Sequence, residues 1–304
     1  MPPIHLIINP HSAGGRTARV AVKVIRMCDA LNLRVVSLVT ERPGHATEMS
    51  RSLPCEARVI AVLGGDGTLN EVVNGAYGKD LTVALLPSGT GNDFAKTLGI
   101  SKLKYAVHAL AADMFRDVDV SRVQIETASG NSIARLFVNA VGIGFDAAVA
   151  YRASTIRIGR GLIPYLIAVF ATLRNYRAAG AVIRAGGDPF SSTLFLACAG
   201  NGRSSGGGFM LTPRACFDDG LLDLCMVRST PVLRILQVLP RTFSGSHLSA
   251  REVRYEQAPA FEFDLDAPLP VHADGELLAR DAVRVRIHVM PQQMRFICPP
   301  PPIE

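Results

Sequence analysis

The sequence contains no tryptophan and only 6% aromatic residues, and its cysteines and histidines lack the spacing of a zinc site. No helix-turn-helix, zinc-finger or RNP-like pattern is present, so the net charge of +6 does not indicate a nucleic-acid-binding protein. That charge is better matched to acidic lipid headgroups or to phosphates. The six cysteines are dispersed and several lie in apolar runs, which is typical of reduced core thiols in a reducing compartment.

Long apolar runs are also missing. The longest apolar helix candidate, residues 162–173, is shorter than the ~20 residues that span a bilayer, and the first residues lack the regions of a signal peptide. We therefore expect a cytoplasmic protein whose membrane contact is peripheral, at the inner face. Arginines flank the apolar segment within residues 151–177. A helix packed on the second domain is the favoured interpretation, and a helix lying on an acidic bilayer is the alternative.

The order of apolar patterns along the 304 residues predicts two domains. Strand and helix signals alternate up to residue 120, which predicts an α/β domain with a parallel sheet over residues 1–120. Residues 121–290 contain short strand patterns separated by glycine and proline turns, which predicts a strand-rich domain with an antiparallel, sandwich-like sheet. The strands predicted in that domain include residues 135–141, 260–265, 269–273 and 283–289.

Two glycine-rich segments, residues 64–68 and 87–93, each follow an apolar strand pattern and each precede a helical pattern. Because the two preceding strands are predicted to be parallel neighbours, both loops should leave the same carboxyl edge of one sheet, where phosphates bind. Glycines in the loops let backbone N–H groups approach phosphate oxygens. Asp66 among these glycines indicates Mg²⁺ or an ordering role within the loop. The first loop lacks the lysine of a P-loop NTPase, and an ordinary strand-to-helix turn is its alternative when it is taken alone.

Taken together, five features in this order resemble the motifs of the diacylglycerol-kinase catalytic family, and of its soluble bacterial lipid kinases in particular. They are Asn9-Pro10, Thr40, the two loops with Phe94-Ala95 after the second, and Asp274-Gly275-Glu276. The resemblance covers nearly the whole chain. It implies an ATP- and Mg²⁺-dependent lipid kinase, a phosphotransferase whose acceptor is the alcohol group of a diacylglycerol-like lipid at a membrane surface. It also implies that the tail, residues 291–304, returns to the first domain.

Site residues are implied by this resemblance, position by position. One of the carboxylates of Asp274 and Glu276 would accept the proton of the lipid hydroxyl and the other would help to hold Mg-ATP, with the two roles left open. A supporting Mg²⁺ is implied at Asp219, with the carbonyls of Cys216 and Leu221, and a simple hairpin turn is the alternative there. The implied nucleotide contacts are Asn9, Thr40, Gly65, Asp66, Gly67, Thr68, Leu69, Asn70, Glu71, Gly89, Thr90 and Asn92.

Two other functions stay open. An NAD kinase would share Asn-Pro and Gly-Gly-Asp-Gly-Thr, but the second loop and the late acidic motif are lipid-kinase features. A non-catalytic lipid or nucleotide sensor of the same fold is the other alternative, although the acids Asp66, Asp274 and Glu276 are all present. The lipid acceptor, the nucleotide preference, regulation and the oligomeric state, for which a homodimer is one option, are not fixed by the sequence.

Overall fold

The computed structural model describes residues 2–156 and 163–299. The chain divides into two compact units, Met1–Val120 with Pro291–Glu304, and Ser121–Met290. The first unit alternates strands and helices and the second is rich in strands, so the prediction of a two-domain α/β and β-rich chain is confirmed.

The first unit contains four strands and five helices before the chain leaves it. In chain order they are β1 (Ile4–Ile8), α1 (Arg16–Ala30), β2 (Val35–Val39), α2 (His45–Ser52), β3 (Val59–Gly64), α3 (Asp66–Ala76), β4 (Thr82–Pro87), α4 (Asp93–Thr97) and α5 (Leu103–Ala111). Strand β1 pairs in parallel with β2 and β3, and β3 pairs in parallel with β4. Nearly every residue of β1, β3 and β4 is buried, and for this reason their sequences are continuous apolar runs.

Within residues 121–156 and 163–290, the second unit is built from antiparallel strands with three α-helices. In chain order the elements are β5 (Phe115–Thr127, which begins in the first unit), β6 (Ser132–Phe137), β7 (Ala140–Gly144), α6 (Phe145–Thr155), α7 (Ile163–Leu173), β8 (Ala179–Arg184), β9 (Phe190–Gly200), β10 (Leu222–Arg228), α8 (Val232–Val238), β11 (Val253–Ala258), β12 (Ala260–Ala273) and β13 (Glu276–Ile297). The antiparallel pairs are β5–β6, β7–β9, β8–β9, β9–β10, β10–β11, β7–β12, β8–β12 and β12–β13.

The two larger apolar clusters in the described part of the second unit show how its strands and helices pack. The first lies among its strands and includes Phe137, Phe261 and Phe263, all fully buried. The second packs α6, α7 and α8, with Phe145 stacked on Phe195 at 4.5 Å between ring centroids. The helices of this unit therefore cover part of its sheet.

The end of β13 belongs to the first unit. Its residues Arg295–Ile297 pair in parallel with Thr82–Ala84 of β4. The ring of Phe296 is fully buried and meets the ring of Phe94 edge-on, with 5.5 Å between centroids. This strand extends the parallel sheet beside β4. Residues 300–304 of the predicted returning tail lie outside the described residues.

Some strand predictions in the second unit were wrong in their limits. The predicted strand 135–141 is two strands, β6 and β7, because the amides of Val138 and Asn139 between them donate to the carboxylate of Asp274. Residues 260–265 and 269–273 form the single strand β12, whose register with β13 shifts between Asp264 and Leu269. Strand β11 was not predicted.

Arg284 and Arg286, in the predicted strand 283–289, are half-exposed and form ion pairs. The Arg284 guanidinium lies 2.5 Å from Asp264, and Arg286 lies 2.9 Å from Glu126. Both arginines project from β13, so the alternation predicted for this strand places its charged side chains together on one face.

Helix α7 has one packed face and one exposed face. Ala168, Val169 and Leu173 are buried against α6 and α8, as the packed-helix interpretation predicts. On the opposite face, Ile163, Ile167 and Phe170 are 54%, 42% and 57% exposed. Arg157, Arg160 and Leu162 of the predicted segment lie outside the described residues. Among the helices of residues 2–156 and 163–299, none combines the length and the apolar character needed to cross a membrane.

Candidate functional site

Three loops follow β1, β3 and β4, which are adjacent in the sheet of the first unit. Two of them are the predicted glycine-rich loops. The third, Ser12–Gly15 after β1, was missed by the sequence analysis, although its Ser-Ala-Gly-Gly sequence is a usable signal. Ala13, Gly14 and Gly15 all have left-handed φ angles, of 53°, 66° and 86°. The N–H groups of Ser12 and Gly15 donate to the carbonyls of Asn9 and His11, at 3.2 and 3.4 Å, so this loop is a tight turn directly after β1.

The two predicted loops are in direct contact. The N–H groups of Ser88 and Gly89 both donate to the carbonyl of Gly64, each at 3.1 Å. A Cβ on Gly89 would lie only 2.5 Å from the Cα of Gly65, so the backbones approach more closely than any side chain allows. Glycine at position 89 is therefore required by packing between the loops.

Asp66 connects the first loop to the helix that follows the second. Its Oδ1 accepts the N–H of Phe94 at 3.3 Å, at the start of α4. A Cβ on Gly91 would lie 3.0 Å from Asp66 Oδ2. Asn92, with a left-handed φ of 49°, closes the loop by accepting the N–H of Gly89 at 2.9 Å and donating to its carbonyl at 2.8 Å. Asp66 thus has the ordering role that the sequence analysis left as one of two options.

Asn9 and Thr40 brace the loops from neighbouring strands. The amide of Asn9 donates to the hydroxyl of Thr68 at 2.9 Å, and its Oδ1 accepts the N–H of His11 at 3.1 Å. The buried Thr40 donates through its hydroxyl to the carbonyl of Ile8 at 3.3 Å. Both side chains lie at the carboxyl end of the sheet and fix the position of Thr68 and of the chain after β1.

Three predicted nucleotide contacts on α3 have other surroundings. Leu69 and Asn70 are 1% and 0% exposed, and the Oδ1 of Asn70 accepts the amide of Asn74 at 3.1 Å. Glu71 accepts the N–H of Ala46 at 3.0 Å and so caps α2. Contact of these side chains with a nucleotide stays a prediction, and the burial of Leu69 and Asn70 argues against it.

The start of α3 offers backbone donors. The N–H group of Leu69 donates to the carbonyl of Gly65, four residues earlier, at 3.1 Å. The amides of Gly67 and Thr68 in the first helical turn point out of its positive end. Gly67 and Thr90 are exposed beside them, and a Cβ on Gly67 would meet no atom within 4 Å. Open space therefore faces the end of α3.

In the second unit, Asp274 and Gly275 form the two-residue turn between β12 and β13. Their φ angles are 48° and 84°, as a type I′ hairpin turn requires. The Asp274 carboxylate is buried and accepts three backbone N–H groups, from Val138 at 3.2 Å and from Asn139 and Ala140 at 3.0 Å each. This carboxylate therefore holds the link between β6 and β7.

Glu276 lies in a different environment although it is only two residues away. Its side chain is 49% exposed, and its Oε2 accepts a hydrogen bond from Arg135 of β6 at 2.8 Å. Two carboxylates that were equivalent in the sequence are therefore distinct. Asp274 is committed to backbone amides, and Glu276 is accessible beside a cation.

The predicted metal ligands lie in a turn before β10. Asp219 is exposed, and its Oδ1 accepts the N–H of Leu221 at 3.0 Å, while the thiol of Cys216 donates to Asp218 at 3.0 Å. Within the described part of the chain, no group of three or more histidine, cysteine, aspartate or glutamate side chains is arranged to hold a metal. The implied site uses one carboxylate and two carbonyls, so it stays a prediction.

Two family models match this chain, one in each of its two parts. The family model described as "Diacylglycerol kinase catalytic domain" matches residues 3–123, and that described as "YegS C-terminal NAD kinase beta sandwich-like domain" matches residues 139–298. The chain therefore belongs to the family of diacylglycerol-kinase-like and YegS-like lipid kinases, in which it carries both domains.

Individual relatives match over most of their length. A diacylglycerol kinase of Mycobacterium tuberculosis is 29% identical over 89% of this chain and 87% of its own. A probable lipid kinase of the YegS type from Chromohalobacter salexigens is 32% identical over 89% and 86%. The crystal structure of a putative diacylglycerol kinase from Bacillus anthracis has a TM-score of 0.77 at 24% identity, covering 98% of this chain and 97% of that one, which is a likeness in fold.

The alternative of an NAD kinase corresponds to a more distant likeness. A yeast NADH kinase structure has a TM-score of 0.52 at 11% identity, covering 98% of this chain and 83% of that one. At that identity only the fold is shared.

Proposed function

We propose that this protein is an ATP-dependent lipid kinase that transfers the γ-phosphoryl group of Mg-ATP to the hydroxyl of a diacylglycerol-like lipid. In this proposal, residues 1–120 with 291–304 bind the nucleotide, and residues 121–290 bind the acceptor and supply the base. The observation that carries it is the joining of the loops after β3 and β4 through Gly65, Gly89 and Asp66, in a chain whose two halves both match the lipid kinase family.

The loops of the first unit fit a polyphosphate. The positive end of α3 and the open space at Gly67 offer backbone donors rather than side-chain cations. Thr68 and Thr90 add hydroxyls. Bound Mg²⁺ would offset negative charge on the phosphates during transfer, and Asp66 is the carboxylate of this unit that would help to hold it.

Glu276 is the better candidate for the base. An acceptor hydroxyl needs a carboxylate that it can reach, and Glu276 is half-exposed whereas Asp274 is buried under three N–H donors. A hydrogen bond from Arg135 orients the Glu276 carboxylate. We propose that Glu276 accepts the hydroxyl proton as the oxygen attacks phosphorus, and that Asp274 keeps the hairpin in place.

A hard cation at Asp219 would have a structural role. The exposed carboxylate and the carbonyls of Cys216 and Leu221 are oxygen donors, which suits Mg²⁺. This cation would brace the turn before β10 and takes no part in the transfer.

The exposed face of α7 supports peripheral binding to a membrane. Ile163, Ile167 and Phe170 are spaced by four and three residues, so they lie on one side of the helix. Exposed Arg174 and Arg177 follow the helix. An apolar stripe beside arginines matches a surface of anionic lipid, from which the acceptor would be drawn.

The test is phosphate transfer from labelled ATP. Diacylglycerol in anionic vesicles, a total lipid extract and NAD are offered separately, with and without excess EDTA. Labelled phosphatidic acid that disappears with EDTA is the expected result. Labelling of NAD in place of lipid would favour the NAD kinase, and ATP binding without transfer to any lipid would favour the sensor.

A further inference from the structure

A buried acid and a buried histidine meet beside the Asp274–Gly275 turn, outside the residues that the resemblance assigns. Asp146 in the first turn of α6 and His272 near the end of β12 are both buried, with 2.9 Å between Oδ2 and Nε2. The hydroxyl of Tyr165 on α7 donates to Asp146 Oδ1 at 3.0 Å. Both oxygens of this carboxylate therefore have a partner, as a buried charge requires.

The backbone makes room for this pair at one glycine. His272 lies directly opposite Gly142 in the pairing of β12 with β7. A Cβ on Gly142 would lie 2.3 Å from His272 Nε2 and 2.4 Å from Asp146 Oδ2. Burial works to raise the pKa of the Asp146 carboxyl, but its interactions with His272 and Tyr165 outweigh this and lower the pKa. Asp146 is therefore a carboxylate at neutral pH.

The second ring nitrogen of His272 contacts the Asp274–Gly275 turn. The N–H of Gly275 donates to His272 Nδ1 at 3.3 Å, so Nδ1 carries no hydrogen in this arrangement. The ring hydrogen is then on Nε2, where it is donated to Asp146. The acid thus sets both the orientation and the tautomer of the ring that accepts from Gly275.

We propose that Asp146 and His272 are positioning residues for the phosphoryl transfer, because together they fix the backbone from which Glu276 projects. The inference rests on the proposed function. Glu276 follows Gly275 directly, so a shift of the turn moves the base. A displacement of about 1 Å at a reacting group costs about 10²-fold in rate, and a loss of about 10- to 100-fold in kcat is expected when the contact is removed.

Two substitutions at position 272 distinguish the contact made by Nδ1 from the contact made by Nε2. Asparagine keeps an acceptor near the position of Nδ1, and glutamine keeps a donor near the position of Nε2. We expect His272→Gln to lower kcat about 10- to 100-fold with the KM for Mg-ATP within about twofold. His272→Asn and Asp146→Asn should each retain more of kcat than His272→Gln and Asp146→Ala respectively.

Amide hydrogen exchange supplies a readout that does not depend on turnover. The peptide containing residues 273–277 should exchange faster in His272→Gln than in the wild type, and His272→Asn should protect it. The matched control is His247→Gln, since His247 is also buried in the second unit but its ring contacts Cys225 and the carbonyl of Leu211. It should change stability without changing kcat or this exchange.

Wild-type kcat in His272→Gln, measured with an enzyme that phosphorylates diacylglycerol, would overturn the inference. So would unchanged exchange at residues 273–277, whether or not the protein acts on lipid. Failure of the wild type to label any lipid while the exchange pattern holds would instead count against the proposed function.

Discussion

Replacing Gly89 by alanine tests whether the contact between the two glycine loops builds a nucleotide site. The added Cβ would lie 2.5 Å from Gly65 Cα and 3.2 Å from its backbone nitrogen. Carbon atoms pack at about 3.5–4.0 Å, so the loops must separate by about 1 Å or more. Neither contact is the end of a flexible side chain that could move aside, so the backbone itself has to shift.

The expected cost is a fall of about 10²-fold in kcat/KM for Mg-ATP, which corresponds to about 2.7 kcal/mol at 1.36 kcal/mol per tenfold. It is measured with diacylglycerol held at a saturating concentration in vesicles. Gly187→Ala is the matched control, because a Cβ there meets no atom within 4 Å in an exposed turn of the second unit. A folded Gly89→Ala variant within twofold of the wild-type kcat/KM would refute the reasoning.

Four further predictions concern the second unit. Asp274→Asn places an amide against a backbone N–H and should lower the free energy of unfolding by about 1–3 kcal/mol. Glu276→Gln should leave stability unchanged and lower kcat about 10²- to 10⁴-fold. Phe170→Ser should weaken sedimentation with anionic vesicles about 5- to 10-fold, because roughly 1 kcal/mol of apolar burial is lost. Burial lowers the pKa of His247, so the unfolded chain, with a histidine pKa of about 6.5, binds the proton more readily, and stability should fall below about that pH.

Each of these outcomes has a measurement that can contradict it. Urea unfolding and steady-state kinetics on both carboxylate variants would refute the assignment if Asp274→Asn had the larger effect on kcat at full stability. If the Phe170→Ser variant sedimented with vesicles like the wild type, the proposed contact of α7 with the membrane would be refuted. For the pH dependence, urea unfolding at pH 7.5 and 5.5 should show a smaller decrease in His247→Gln than in the wild type, and equal decreases would refute it.

The first unit was predictable because its strands β1, β3 and β4 are buried on both faces. Residues of β3 and β4 form uninterrupted apolar runs, and the glycine loops mark where each run ends. In the second unit, the local sequence indicates the limits of the strands less clearly. The break between β6 and β7 depends on Asp274, which lies 135 residues along the chain from Asn139, and no local pattern records that hydrogen bond. Strand β11, Val-Arg-Tyr-Glu-Gln-Ala, is mostly polar and was missed.

The residues of the candidate site were also predictable only in part. Glycines and motif order indicated the positions of the two glycine loops, and Asp66 and Asn92 make hydrogen bonds within and between those loops and α4. Burial could not be deduced for Leu69 and Asn70, which share α3 with exposed Gly67. The pairing of Asp146 with His272 joins residues 126 positions apart through the space left at a glycine, so only the fold reveals it.

The parallel sheet that carries the glycine loops takes one strand from the end of the chain, after residues 121–290. Phe296 packs on Phe94 of α4, and the amide of Cys298 donates to the carbonyl of Met114 at 2.9 Å. During translation, the ribosome makes the loops first and this last strand only after residues 121–290 have also been made. The first unit therefore cannot complete its folding co-translationally ahead of the second. Nascent chains halted before residue 295 should lack a folded first unit even though both glycine loops have been synthesised.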